Sequence, residues 1–414
     1  MSVDNKAPEI RFEGFSGEWI ENNLGELIDI RSAARVHKEQ WTDAGVPFFR
    51  TSDVVSIYKG QENTKASISH EIYQDLSEKI GRVKKDDLLI TGGGSIGIPY
   101  LVPNNNPLYF KDADLLWLKN NKKFNGYFLY TFFFSECFKK HIKSISHTGT
   151  IAHYTIEQAK ATPINTCDDE EQTQIGNYFQ KLDELINQHQ QKHDKLNNIK
   201  KAMLEKMFPK QGKTVPDIRF DGFSREWKEV KLSKVSDKIT EKNTSVIYSE
   251  TFTNSAEFGI ISQRDYFDKD ISNSNNIGGY YVVQPEDFVY NPRISTLAPC
   301  GPINRNTLGR AGIMSPLYTV FRTKDVNTIF IEYFFQTKLW HTFMFLNGDT
   351  GARADRFSIK DSVFFELPLL LPTLNEQDVI GNYFQKLDAL INQHQQQITK
   401  LNNIKQACLS KMFV

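Results

Sequence analysis

Residues 171–208 read EQTQIGNYFQKLDELINQHQQKHDKLNNIKKAMLEKMF, and residues 376–413 read EQDVIGNYFQKLDALINQHQQQITKLNNIKQACLSKMF. Of these 38 positions 29 are identical, and GNYFQKLD and INQHQQ are unchanged. In the first copy Ile175, Leu182, His189, Leu196 and Met203 recur every seven residues, with Tyr178, Leu185 and Ile199 at the intermediate heptad position. The second copy repeats the step with Ile380, Leu387, His394, Leu401 and Cys408, accompanied by Tyr383, Leu390 and Ile404. A seven-residue apolar step predicts a coiled-coil helix. Asp169, Glu170 and Glu171 near the start, with Lys206 and Lys411 near the ends, suit the helix dipole. Roughly 35 residues at about 1.5 Å each make a rod on the order of 50 Å long. A helix with one apolar stripe needs a partner, and the other copy is the obvious one. The globular stretch between the copies leaves room for an antiparallel return. His189 and His394 sit on the stripe, most simply as a polar layer that sets register. A metal or pH site there lacks a third ligand at suitable spacing. The glutamines beside them read as a solvated face, or as a docking surface for a partner helix.

Outward from these segments, the chain repeats once more. Residues 8–19 read PEIRFEGFSGEW and residues 216–227 read PDIRFDGFSREW, with nine of twelve positions shared. The two offsets are 208 and 205 residues, so each half of the chain is one complete unit. The inserts at 20–165 and 228–370 share no run alignable by eye. Both carry short β-type runs, such as Asp87–Thr91, Leu115–Leu118, Tyr280–Val283 and Leu317–Phe321, punctuated by turn residues. A repeated frame does one job twice, whereas dissimilar inserts recognise two different things. The expected fold is mixed α/β (α+β). Two mixed α/β domains, at 1–165 and 211–370, are separated by two long antiparallel coiled-coil helices at 166–210 and 371–414. The arrangement is a pseudo-two-fold internal repeat.

With 414 residues, 39% hydrophobic and 24% charged, the composition is that of a soluble protein of two or more domains. No apolar run reaches the length of a membrane span, and Met1-Ser2-Val3-Asp4-Asn5-Lys6 lacks a signal-peptide core. Cys137, Cys167, Cys300 and Cys408 are scattered, which suggests a reduced cytoplasmic setting without disulfides. The formal net charge is zero. A DNA reader of this composition must gather its cations on one face or borrow them from partners.

Catalytic motifs fail on inspection. Gly92-Gly93-Gly94-Ser95-Ile96-Gly97 matches GxGxxG, but Pro99 and Pro103 forbid the helix that a dinucleotide site requires. Gln211-Gly212-Lys213-Thr214 has Met207 where a P-loop needs its first glycine, so it reads as a hinge. Pro216-Asp217 with Glu226-Trp227-Lys228 mimics a nuclease PD…ExK, but the first copy has Glu9 and Ile20 at the Asp and Lys positions. Asn291-Pro292-Arg293 lacks the second proline and aromatic of a base-holding methyltransferase loop. His147 and His153 lack a third ligand. The chain reads as non-catalytic and metal-free.

DNA readers need cations for phosphates and Arg, Asn, Gln, Ser or Thr for base edges. The first insert offers Arg50, Thr51 and Ser52, then Thr91, Gly93 and Ser95, then Thr148, Thr150 and His153. The second offers Arg264, Arg293 with Ser295 and Thr296, Arg305, Arg310, and Arg353 with Arg356. Each of these taken singly could be an ordinary surface residue. Together they lie in turn-rich segments of both inserts.

Taken together, the duplicated helix with its terminal Met-Phe, the duplicated PEIRFEGFSGEW, TGTIAH at 148–153 and TGARADRFSI at 350–359 resemble the specificity subunit of type I restriction-modification systems, over essentially the whole chain. That resemblance implies two target-recognition domains, each reading one half of a split double-stranded DNA site, with the helices as the ruler between halves. It implies two methyltransferase subunits docked on the helices, joined by restriction/translocase subunits. S-adenosylmethionine, ATP and magnesium would belong to those partners, and adenine would be the methyl acceptor. The family fixes no universal base-contact residue, so the loop residues above remain an inference from chemistry. Two other classes compete: a coiled-coil adapter whose inserts bind proteins, which zero net charge favours, and a stand-alone methyltransferase with an unfamiliar motif.

Overall fold

The structure, a computed structural model, describes residues 6–145, 153–267, 274–350 and 355–414. The chain forms two compact units, Met1–Gln191 with Gln395–Val414, and Lys192–His394. Both repeated segments are helices of 38 residues, Asp169–Lys206 and Leu374–Lys411. Unit 1 therefore holds the N-terminal part of the first long helix and the C-terminal part of the second. Unit 2 holds the converse parts. Within unit 1 the two run antiparallel: Tyr178 meets Cys408, and Asp183 meets Lys405. Within unit 2 Lys200 meets Asp388, and the Phe208 ring lies 6.3 Å from Phe384.

The seven-residue step stands, but its second buried position is four residues on rather than three. Phe179, Phe384, Ile391 and Ile398 are buried, whereas Tyr178, Leu185 and Tyr383 are half-buried and Leu390 is 44% exposed. For Phe179 and Phe384 the physical reason is that each helix start packs on a globular insert as well as on the other helix. The buried face is therefore wider than a strict two-helix seam and rotated towards the insert. His189 and His394 are half-buried.

The frame motifs dock on the helix starts in the same way twice. Arg11 donates two hydrogen bonds to the fully buried Glu171 (2.6 and 2.7 Å), which also accepts from Trp19 Nε1 (3.2 Å). Arg219 donates twice to Glu376 (both 2.7 Å), joined by Trp227 Nε1 at 3.4 Å. The Glu171 bonds raise the Arg11 guanidinium further above its ordinary value. The Met-Phe ends complete the two cores. Phe413 packs against Trp19, Phe128 and Phe179 in unit 1, and Phe208 against Trp227, Phe330 and Phe384 in unit 2. Gly176 in GNYFQKLD permits the close approach of Asn125: a Cβ there would lie 2.1 Å from Asn125 Oδ1.

The inserts share a topology that their sequences conceal. In unit 1 a four-stranded antiparallel sheet has the spatial order Asp29–Arg31, Leu115–Lys119, Leu88–Thr91, Pro99–Leu101. In unit 2 the order is Ser236–Ile239, Thr319–Thr323, Phe288–Tyr290, Ile303–Arg305, again antiparallel throughout. Numbered by sequence within each sheet, both read first, fourth, second, third. Each insert is closed at its base by a two-stranded pair, Ile20–Asn23 with Pro163–Thr166 and Lys228–Lys231 with Pro368–Leu371. Of the β-type runs, the first three form strands Leu88–Thr91, Leu115–Lys119 and Tyr281–Val283. The fourth starts later, at Thr319, because a turn closes from Ser315 to Tyr318 (3.0 Å). No helix among the described residues is long and apolar enough to cross a membrane.

Candidate nucleic-acid interface

Gly92–Gly97 joins the central strand Leu88–Thr91 to Pro99–Leu101 as a hairpin loop, so no phosphate-cradling helix starts there. Gly97 N donates to the Thr91 carbonyl (2.8 Å), and Ile98 N donates to Thr91 Oγ1 (2.9 Å), so the buried Thr91 ties the loop shut. Gly93 pairs with His153 in an isolated antiparallel bridge, and Tyr154 N donates to the Gly92 carbonyl (2.8 Å). Gly92 N and Thr51 Oγ1 both donate to the Asp114 carbonyl (2.8 and 3.2 Å). Three separated segments of the first insert, around Thr51, Gly93 and His153, therefore converge at one end of the sheet.

Unit 2 builds the same convergence from different residues. The loop after its central strand Phe288–Tyr290 spans 291–302. There Arg293 pairs with Arg356 in an isolated antiparallel bridge, and Ile294 N donates to the Asp355 carbonyl (3.1 Å). Gly93 and Arg293 follow equivalent strands, and His153 and Arg356 precede equivalent basal strands. Arg293 is exposed and Arg356 half-buried, and neither guanidinium has a carboxylate ion-pair partner among the described residues. Ser295 accepts from Ala298 N through both its carbonyl and its Oγ (3.1 and 3.2 Å), closing the tip of the loop.

The other sequence-selected residues are placed differently. Arg50 pairs with Asp53 (2.8 Å), reaches the Thr64 carbonyl and lies 5.7 Å from the Trp41 ring, so its guanidinium is largely used within unit 1. Ser52 accepts from Asn63 (3.1 Å), and Ser95 is exposed at the hairpin tip. Arg305, with a side chain only 9% exposed, bridges Glu286 (2.6 Å) and Glu332. It braces the sheet against helix Thr328–Gln336. Arg310 pairs with Glu250 (2.7 Å). Arg264 is exposed on the short helix Gln263–Phe267, and its charge contributes to holding the Glu250 carboxyl low. Thr148, Thr150 and Arg353 lie outside the described residues.

The sequence reading passed over Arg35, which is exposed beside the unit 1 convergence. Its segment is fastened there by Ala113 N donating to Ser32 Oγ and Ala34 N donating to Tyr109 Oη (both 3.0 Å). SAAR carries no turn signal, so nothing in the local sequence marks it. The described residues contain no group of three His, Cys, Asp or Glu side chains placed to hold a metal.

Residues 16–198 match the family model of the type I restriction modification DNA specificity domain. The matched stretch is thus similar to the DNA specificity domain of type I restriction-modification systems. The chain is 28% identical over 167 residues to a putative type I restriction enzyme specificity subunit of Haemophilus influenzae. That alignment spans 40% of this chain and 40% of the relative. Its fold is similar to a crystal structure of a type I restriction-modification S subunit from M. genitalium, with 13% identity, 99% of both chains covered and a TM-score of 0.59. A chain from a structure of type I system assembly and conformational transition covers 94% of this chain at 17% identity, with 96% of that chain covered and a TM-score of 0.50.

Proposed function

We propose that each unit reads one half of a split double-stranded DNA site, on behalf of partner subunits that perform the chemistry. The observation that carries this reading is the duplicated convergence, Gly93 with His153 and Arg293 with Arg356, built at equivalent places from unrelated sequences. One scaffold presenting two different loop sets is what recognition of two different sequences requires. The specificity-domain match over residues 16–198 supports the same assignment.

In unit 2, Arg293 and Arg356 supply the donors: a guanidinium pairs two-pronged with guanine or neutralises a phosphate. Ser295 and Thr296 sit beside them for base edges. In unit 1, Thr51, Ser95, His153 and Arg35 take these roles, and Gly93 lets the backbone come close to a phosphate. Arg50 and Arg305 act from behind, by stiffening the domains that present the loops. The domains are 1–165 and 211–370, and the helical segments 166–210 and 371–414 set the gap between half-sites. Two methyltransferase subunits and the restriction/translocase subunits bring S-adenosylmethionine, ATP and magnesium, in the cytoplasm. Two linked weak readers gain joint affinity through effective concentration.

The test is to exchange residues 20–165 for another family member's insert and map methylated adenines genome-wide. One half of the split motif changes and the other stays. A change in both halves, or in neither, would refute the modular assignment. The zero net charge favours a protein-binding adapter as the second reading. Binding to duplex DNA that weakens steeply with salt excludes it.

A further inference from the structure

The loop at 291–302 in unit 2 is a stiff tongue with an apolar tip. Asn291 N donates to the Pro302 carbonyl (2.9 Å) and closes its base. Asn254, itself buried, donates to the Val289 carbonyl (2.7 Å) and the Pro302 carbonyl (3.3 Å), and its own carbonyl accepts from Asn291 Nδ2 (2.8 Å). Tyr290 Oη donates to the Cys300 carbonyl (2.9 Å). Ala298 and Cys300 are buried and anchor the returning limb. Gly301 has φ +84°, and a Cβ there would sit 2.1 Å from the Asn291 carbonyl oxygen, so only glycine fits. At the tip, Ser295 and Ala298 exchange backbone hydrogen bonds (3.0 and 3.1 Å).

Leu297 lies inside that closed tip and is 69% exposed. A single exposed leucine is ordinary. This one is held away from the core by a cross-braced loop, with Arg293 four residues before it and Arg356 bridged to Arg293. Two bridged arginines at the base of a rigid apolar point match the requirements of a side chain that enters a stack of bases: phosphate contacts for placement and a stiff wedge for insertion. Among the described residues unit 1 has no counterpart, because Gly92–Gly97 is shorter and its one apolar residue, Ile96, packs against the core.

We propose that Leu297 is a wedge that inserts at one base step of the half-site read by unit 2 and unstacks it. The proposal rests on the DNA reading above and adds a distortion confined to one half-site. Unstacking one step lowers the barrier to extruding a neighbouring nucleotide. It also makes recognition depend on how easily that step deforms, with pyrimidine–purine steps the most yielding.

The experiment uses the full-length chain without partner subunits, so that no extrusion they drive contributes. Duplexes carry the mapped site with 2-aminopurine substituted at successive positions. The wild-type chain gives a several-fold fluorescence rise at one position in one half-site and none in the other. Leu297→Ala abolishes the rise while still binding, and Leu297→Met retains it. Arg293→Ala weakens binding, and the rise then follows occupancy. Circular dichroism melts of Leu297→Ala and Leu297→Gln match the wild type, since the side chain is outside the core. Salt-dependent binding with no rise at any position overturns the wedge and leaves the DNA reading standing. A rise that survives Leu297→Ala also overturns it. Absence of salt-dependent binding by the wild-type chain refutes the DNA reading itself, and the wedge with it.

Discussion

Lys405 Nζ lies 2.5 Å from Asp183 Oδ1, although 222 residues of chain separate them. The other Asp183 oxygen accepts from Tyr127 Oη (2.7 Å). In unit 2 the same trio recurs with the helices exchanged: Asp388 accepts from Lys200 (2.6 Å) and Tyr333 (2.8 Å). Each aspartate therefore couples the two long helices and an insert helix at one point. Burial of the Tyr127 ring, together with the carboxylate beside it, holds that phenol well above its ordinary range, so it stays a donor. Both charged side chains are less than one-third exposed. A double-mutant cycle of Asp183→Asn and Lys405→Met is expected to give a coupling of about 1 kcal/mol in urea unfolding. Additive effects would show that the pairing is incidental.

The Arg11–Glu171 pair is more deeply placed, and its removal costs more. Arg11→Met leaves a fully buried carboxylate with Trp19 Nε1 as a donor but no cation. Removing one partner of a buried pair typically costs about 3–5 kcal/mol, and a neutral replacement of both recovers much of it. Arg11→Met is thus expected to lower the unfolding midpoint strongly, and Arg11→Met with Glu171→Gln to restore most of the loss. Arg219 and Glu376 behave alike. Equal midpoints for the single and double variants would contradict this assignment.

Arginines proposed to contact DNA and arginines that brace the fold separate by assay. Arg293→Ala and Arg356→Ala each lower duplex affinity, and each phosphate deprived of its cation reduces the salt slope by about 0.9. Their melting temperatures stay close to that of the wild type. Arg305→Ala does the reverse, because it strips Glu332 of its cation and leaves Arg293 and Arg356 in place. A stable Arg305→Ala protein with a reduced salt slope would require the roles to be exchanged.

Acid sensitivity of unit 2 has an identifiable contributor in Glu250. Hydrogen bonding and charge from Arg310 hold its carboxyl below the ordinary 4.5, against the opposing effect of burial. A carboxyl depressed by folding contributes stability that is full above the unfolded value. That stability is lost as pH falls through the folded value. Stability is therefore expected to fall as pH drops below about 4.5, and Arg310→Ala is expected to flatten that part of the profile. Urea midpoints measured on both proteins from neutral pH down through the acid range check this, and parallel profiles would dismiss the pair as a contributor.

The long helices were legible because repetition reveals them without any knowledge of neighbours. Their buried face was less so. Phe179 and Phe384 are covered by insert helices, which a heptad count cannot see. The common sheet topology was invisible because burial, not identity, preserves it: Leu88–Thr91 and Phe288–Tyr290 are both fully buried central strands without a shared residue. Tyr127 and Tyr333 illustrate the same point. Counted from the capping Asn125 and Asn327, they stand one helical turn apart, yet each reaches the equivalent aspartate. Among the candidate loop residues, Gly93, His153, Arg293 and Arg356 were singled out by turn chemistry and are brought together in pairs. Arg305 looked identical to them in sequence, since Glu332 lies 27 residues away. Leu297 carried no signal, because an apolar residue in a string normally indicates interior.

The interlocked ends of the long helices have a consequence for biosynthesis. Residues 192–394 form a contiguous body that can close as soon as it leaves the ribosome. The earlier-made body cannot: Trp19, Phe128, Phe132 and Phe179 wait for Phe413, and Asn165 waits for the Val414 carbonyl. The usual N-to-C order of maturation therefore does not hold in this chain, because the first-begun body is finished only by residues 395–414. A nascent polypeptide stalled before residue 395 would display an open aromatic socket to chaperones and proteases.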